Sequence, residues 1–92
     1  MPYIKPEDRK LYDNLINELG TDLYASYQDK NIAGDINYIV TRLLNTAYNI
    51  KDKPSYAKIN EIVGVLDCIK MEFYRRIAVP YENKKIDENG DV

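Results

Sequence analysis

The clearest helical pattern in the sequence is Asp35-Ile-Asn-Tyr-Ile-Val-Thr-Arg-Leu-Leu-Asn-Thr-Ala-Tyr-Asn-Ile50. Its apolar residues recur at the spacing of one helical face and fill an arc of roughly 140° at 100° per residue. They are Ile36, Ile39, Val40, Leu43, Leu44, Ala47 and Ile50. Asp35 is a residue type that helix N-caps favour. The stretch therefore predicts an amphipathic helix that begins after Asp35 and extends to Ile50.

A helix is predicted on the N-terminal side of this stretch, over residues 6–19. Pro6 suits the first position of a helix, and Gly20 suits the position just after its end. Residues 21–34 contain Gly34 and a polar run, so a loop is favoured there over a short helix.

A third helix is predicted over about residues 56–78. Ser55 can cap its N-terminus, and Pro80 ends it because the residue before a proline is pushed out of the α region. The sequence thus predicts an all-α fold, a three- to four-helix bundle with a long C-terminal helix. We expect one helical domain over 1–80 and a polar tail over 81–92, which holds two lysines and four acidic residues.

The composition describes one soluble domain. The chain has 92 residues and a net charge of −2, from 13 basic and 15 acidic residues, so it has no overall attraction for nucleic acid or anionic lipid. We expect no secretory leader, because the first residues lack the basic and apolar segments of one, and no apolar run approaches the ~20 residues of a membrane span. We therefore expect a cytoplasmic protein, with no membrane partner, in which the single cysteine, Cys68, is reduced.

Five stretches resemble a family of small uncharacterised prokaryotic and phage proteins, a domain of unknown function. They are INYIVTRLL (36–44), NEIVGVLDC (60–68), EFYRR (72–76), PYENKKI (80–86) and ENGDV (88–92). Residues 21–34 look like an insertion relative to that pattern. The resemblance implies a compact helical fold and carries no activity, cofactor or partner.

The sequence contains few residues from which a catalytic site could be built. The chain has no histidine, so Cys68 has no such base to activate it, and the commonest metal ligand is missing. Glu61 and Glu72 share one side of the third helix three turns apart, which leaves an acid-dependent, metal-assisted hydrolase as a third hypothesis. We predict no catalytic residue, metal or cofactor.

The outward side of the second helix is the most informative feature. Between Ile36 and Ile50 the only charged residue is Arg42, and depletion of charge is typical of the cores of protein interfaces. The residues predicted to contact a partner are Tyr38, Arg42, Asn45 and Tyr48. Two alternatives stay open, namely an A/T-rich coding bias and coverage of this side by residues 21–34.

A second line of contact is predicted on the third helix. Gly64, Cys68 and Met71 recur on the side away from its main apolar stripe, and small residues there allow a second helix to approach closely. Lys70 points into the main stripe, where a bare ammonium would be costly. Either its stem extends outward so that the ammonium reaches water, or an acidic residue meets it, the candidates being Asp67, Asp13 and Glu18. A second copy of the chain is the economical way to cover both sides, so we predict a homo-oligomer, most simply a dimer, acting as a small interaction or adaptor protein.

The alternative function is a small nucleic-acid-binding regulator. Arg75, Arg76, Lys84 and Lys85 form local basic spots that could neutralise phosphates. Acidic neighbours such as Glu72 and Glu82 dilute them, so a solvated surface of mixed charge is the simpler interpretation.

Overall fold

The structure, a computed structural model, describes residues 4–92. Within that range the chain forms helices joined by turns, with no strand. The elements are α1 (Pro6–Tyr27), α2 (Ala33–Tyr48), α3 (Tyr56–Phe73), a π-helical turn (Tyr74–Ala78) and α4 (Val79–Asn89). The predicted all-α class with a long C-terminal helix is confirmed. The chain divides within α2 into two units, the first running to Thr41 and the second being Arg42–Val92.

In the first unit, α1 is longer than the sequence suggests. It begins at Pro6 as predicted but continues to Tyr27, so Gly20 is not its end and residues 21–27 are not a loop. A glycine inside a helix costs about 1 kcal/mol relative to alanine, which the good helix formers Leu23 and Ala25 help to offset. At the C-terminus, the Gln28 side-chain amide donates to the Tyr24 carbonyl at 3.0 Å.

The start of α2 also differs from the prediction. The helix begins at Ala33, whose backbone N–H is accepted by the Asn31 side-chain oxygen at 2.8 Å. Asp35 is therefore not the N-cap and lies in the first turn. There its carboxylate pairs with the Lys30 ammonium at 2.8 Å, at the helix end where the dipole favours negative charge.

In the second unit, α2 ends at Tyr48, two residues earlier than the predicted Ile50. Asn49 takes a positive φ of 53°, and the Ile50 N–H donates to the Asn45 carbonyl at 3.1 Å. This is the hydrogen bond of a Schellman cap, in which asparagine can replace the usual glycine. After the loop, the Ser55 hydroxyl accepts from the Lys58 N–H at 3.2 Å, which confirms Ser55 as the N-cap of α3.

Pro80 does not end the long helix, which is a correction to the prediction. The residues at both junctions keep right-handed helical dihedrals, so α3, the π-helical turn and α4 follow one another without a break. The Val79 N–H donates to the Tyr74 carbonyl, one residue further back than in an α-helix. Proline lacks an N–H and its ring clashes with the carbonyl four residues earlier. The widened turn accommodates both effects, and residues 81–89 of the acidic tail are helical.

No described side chain is fully buried. The best-covered apolar residues of α2 and α3 are only half-buried, among them Ile39, Val40, Leu44 and Ile62. Apolar side chains at helical spacing remain exposed on α1 and α3.

Candidate protein-interaction surface

The outward side of α2 presents the side chains that the sequence singles out. Tyr38 is 62% exposed, Arg42 and Asn45 are exposed, and Tyr48 is half-buried. Tyr38 and Arg42 each already have an interaction partner within the chain. This restricts the side-chain freedom that a binding partner would otherwise have to remove.

A polar groove of about 500 Å³ lies where α2 ends. Its lining residues are Arg42, Asn45, Thr46, Asn49, Lys51 and Asp52. Two of the predicted contact residues, Arg42 and Asn45, are therefore brought together in one concave surface. The helix cap at Asn49 contributes the turn that forms the far wall.

Tyr48 has a partner within its own unit. Its hydroxyl donates a hydrogen bond to the Glu61 carboxylate of α3, and that bond, with the nearby negative charge, raises the pKa of Tyr48 above its ordinary value of 10.0. The predicted contact residue Tyr48 thus joins α2 to α3. The sequence offered no signal for this bond, because the two residues are separated by a turn and two capping motifs.

The second predicted line, on α3, is open. Gly64 has no neighbour within 4 Å of the position that a β-carbon would occupy. Cys68 is exposed and Met71 is 60% exposed. Nothing within the described chain packs against the small side of this helix at Gly64.

The main apolar stripe of α3, whose helical spacing is typical of a buried face, is exposed as well. Phe73 is 65% exposed, and Val63 and Ile69 are each 54% exposed. A groove of about 680 Å³ lies at the C-terminal end of the stripe, beside the π-helical turn. Its lining residues are Ile69, Lys70, Met71, Phe73, Tyr74 and Ala78. The helical spacing of apolar residues was the available signal for this surface.

Lys70 lines that groove, and of the two arrangements predicted for it the one with an acidic partner is not found within residues 4–92. Among the residues described, none forms an ion pair with it, and Asp67 in particular does not. Its ammonium is therefore available at the edge of an apolar surface.

The cations of the nucleic-acid hypothesis meet acidic side chains. Glu72 pairs with both Arg75 and Arg76, the latter at 3.0 Å between Nε and Oε1. The Lys85 ammonium lies 3.2 Å from a Glu88 oxygen and 5.5 Å from the centre of the Tyr81 ring. Lys84 is exposed on α4. Three of these four cations are thus partly neutralised before any phosphate approaches.

The acids of the hydrolase hypothesis are likewise engaged, Glu61 with Tyr48 and Glu72 with the two arginines. Over residues 4–92, no three histidine, cysteine, aspartate or glutamate side chains lie close enough together to hold a metal ion. Within the same range, no helix combines the length and apolar character that crossing a bilayer requires.

Comparison with protein families gives a match over the chain. The family model described as Domain of unknown function (DUF6899) matches residues 1–92 and so includes the segment 21–34. No curated protein and no solved structure matches the chain.

Proposed function

The chain belongs to the DUF6899 family, and we propose that it acts as a small homo-oligomeric protein-interaction or adaptor module without catalytic activity. The basic assembly is a dimer that works in the cytoplasm. Its helices pack as a three- to four-helix bundle around the long C-terminal helix, and the second copy completes the apolar packing.

The observation that supports this proposal most is the exposure of ordered apolar faces. Large contiguous apolar patches are rare on monomeric soluble proteins and mark interaction sites. Here Leu15 of α1 and Phe73 of α3 are each about two-thirds exposed. Burial of apolar surface contributes roughly 25 cal/mol per Å², so covering two such faces favours association.

The α2 outer face supports the same proposal through its composition. Arg and Tyr are the residue types enriched at the energetic centres of interfaces. The α2 face offers both residue types in Arg42 and Tyr38, with Asn45 beside them. It has few other charges that binding would have to desolvate. Tyr48 contributes by fixing the α2–α3 corner on which this face lies.

The substitution Arg42→Glu tests the role of this face. We expect the dimer to weaken, measured by sedimentation velocity, while helicity by circular dichroism stays unchanged. The matched control is Lys10→Glu, which makes the same charge reversal on the charged side of α1 and should leave the dimer intact. An unchanged dimer in Arg42→Glu would remove the α2 face from the interface.

The second proposal, a nucleic-acid-binding regulator, draws on Arg75, Arg76, Lys84 and Lys85 and is less well supported because of their acidic partners. It requires fluorescence anisotropy of labelled DNA or RNA to rise at low salt and to fall steeply as salt is added. The third, a metal-assisted hydrolase around Glu61 and Glu72, requires Mg²⁺ or Mn²⁺ to raise the melting temperature.

A further inference from the structure

Two exposed apolar stripes in the chain are flanked by side chains of opposite charge. The α1 stripe consists of Leu11, Tyr12, Leu15, Ile16 and Leu19, and the α3 stripe consists of Ile59, Ile62, Val63, Leu66, Ile69 and Phe73. All five residues of the α1 stripe are exposed, as are all of the α3 stripe except the half-buried Ile62. Each stripe repeats at the three- and four-residue spacing of one helix face.

Carboxylates bracket the α1 stripe. Asp8 is three residues before Leu11, and Asp22 is three residues after Leu19, so both lie on the apolar side of the helix. Across the described chain neither of them takes part in an ion pair. The helix as a whole carries Arg9 and Lys10 against five acidic residues, a net charge of 2 − 5 = −3.

Two lysines flank the α3 stripe, Lys58 just before Ile59 and Lys70 at its edge, three residues before Phe73. Lys58 is four residues before Ile62, and Lys70 is four residues after Leu66. The Lys58 ammonium donates to the Lys53 carbonyl at 2.7 Å, and Lys70 stands in the apolar groove. At 1.5 Å per residue the two lysines are about 18 Å apart along α3, and the two aspartates are about 21 Å apart along α1. One docking can therefore satisfy both pairs.

We propose that the α1 stripe of one copy packs antiparallel on the α3 stripe of a second copy, with Asp8 beside Lys70 and Asp22 beside Lys58. The arrangement rests on the proposed homo-oligomer and names the segments that form it. The antiparallel direction follows from the helix dipoles, because it places the C-terminal end of α1 beside the N-terminus of α3. Twofold symmetry repeats the contact, so each copy covers both stripes of the other.

A mixing experiment tests the proposal. Lys70→Glu and Asp8→Lys each place like charges together in their own homodimer, and each should weaken the dimer at least about tenfold. In an equimolar mixture of the two variants, both contacts regain opposite charges, and a mixed dimer should form with near wild-type affinity. Mixing cannot restore a contact within a single chain, so formation of the mixed dimer would show that the contact lies between copies. Absence of a mixed dimer would overturn the proposal.

Controls separate the other outcomes. Circular dichroism should show that each single variant keeps its helices, and Asp13→Lys, on the other side of α1, should leave the dimer unchanged. Restoration of Lys70→Glu by Asp22→Lys instead of Asp8→Lys would overturn the antiparallel register. A dimer that persists unchanged in both single variants would overturn this contact but not the proposed function, whereas a monomeric wild-type chain would overturn both.

Discussion

The Tyr48 hydroxyl donates a hydrogen bond to the Glu61 carboxylate and so joins the last turn of α2 to α3. The bond spans the corner formed by the Asn49 cap and the Ser55 cap. Because Arg42 and Asn45 lie on the same helix as Tyr48, this corner fixes where the polar groove at the end of α2 stands.

The pKa of Tyr48 gives the corner a pH dependence. Its pKa is raised above 10.0 in the folded chain. The contribution of the hydrogen bond to folding stability is therefore fully present below pH 10, and it is lost as the pH rises through the pKa of Tyr48 in the folded chain. We expect the melting temperature of the wild type to fall more steeply above pH 10 than that of Tyr48→Phe. At neutral pH, Tyr48→Phe should melt at a lower temperature. Tyr56→Phe, at a largely exposed tyrosine, is the control, and identical alkaline melting curves for wild type and Tyr48→Phe would contradict the bond.

The Ser55 cap predicts a specific loss of stability. Ser55→Ala removes the side-chain acceptor for the Lys58 N–H and should lower the free energy of unfolding by about 1 kcal/mol in urea titrations. Ser26→Ala makes the same chemical change inside α1, where alanine is the better helix former, and should cost nothing. Equal effects of the two substitutions would show that the cap does not contribute.

Replacing Pro80, to which we attribute the π-helical turn, should raise the stability of the chain. Pro80→Ala restores a backbone N–H and relieves the ring, so we expect the free energy of unfolding to rise by roughly 1–3 kcal/mol. Chemical shifts of Tyr74–Ala78 should become those of a regular α-helix. Pro6→Ala is the control, because proline at the first helical position fits without strain. Unaltered shifts after Pro80→Ala would mean that the widened turn has another origin.

The two helical glycines form a matched pair. Neither Gly20 nor Gly64 has a neighbour that an added β-carbon would meet, so alanine at either position should stabilise its helix by about 0.5–1 kcal/mol. If Gly64 lies at a close contact between copies, Gly64→Ala should weaken the dimer while Gly20→Ala should not. Equal gains in thermal stability with no change in the dimer would remove Gly64 from the interface.

Local signals in the sequence predicted the elements but not all of their ends. Ser55 and Pro6 act through their immediate neighbours, so their effects could be predicted. Gly20 and Pro80 would end a helix only if the flanking residues did not favour it. The helix formers after Gly20 outweighed its cost, and a one-residue shift in hydrogen bonding accommodated Pro80.

The same holds for the candidate surface, of which the sequence predicts only the features that depend on neighbouring residues of one helix. The low charge of the α2 face and the apolar stripes of α1 and α3 could be predicted, because helical periodicity alone defines them. The hydrogen bond from Tyr48 to Glu61 could not, since it depends on the angle between two helices that no periodicity encodes. The pairing of Glu72 with two arginines follows from helical spacing, which did indicate it.

The molar mass in solution shows whether the chain forms the proposed dimer. Light scattering after gel filtration, over a series of concentrations around tens of micromolar, should give twice the chain mass of 10.7 kDa and a decline toward that mass on dilution. A constant 10.7 kDa across the series would contradict the account, because the exposed stripes of α1 and α3 would then have no second copy to cover them.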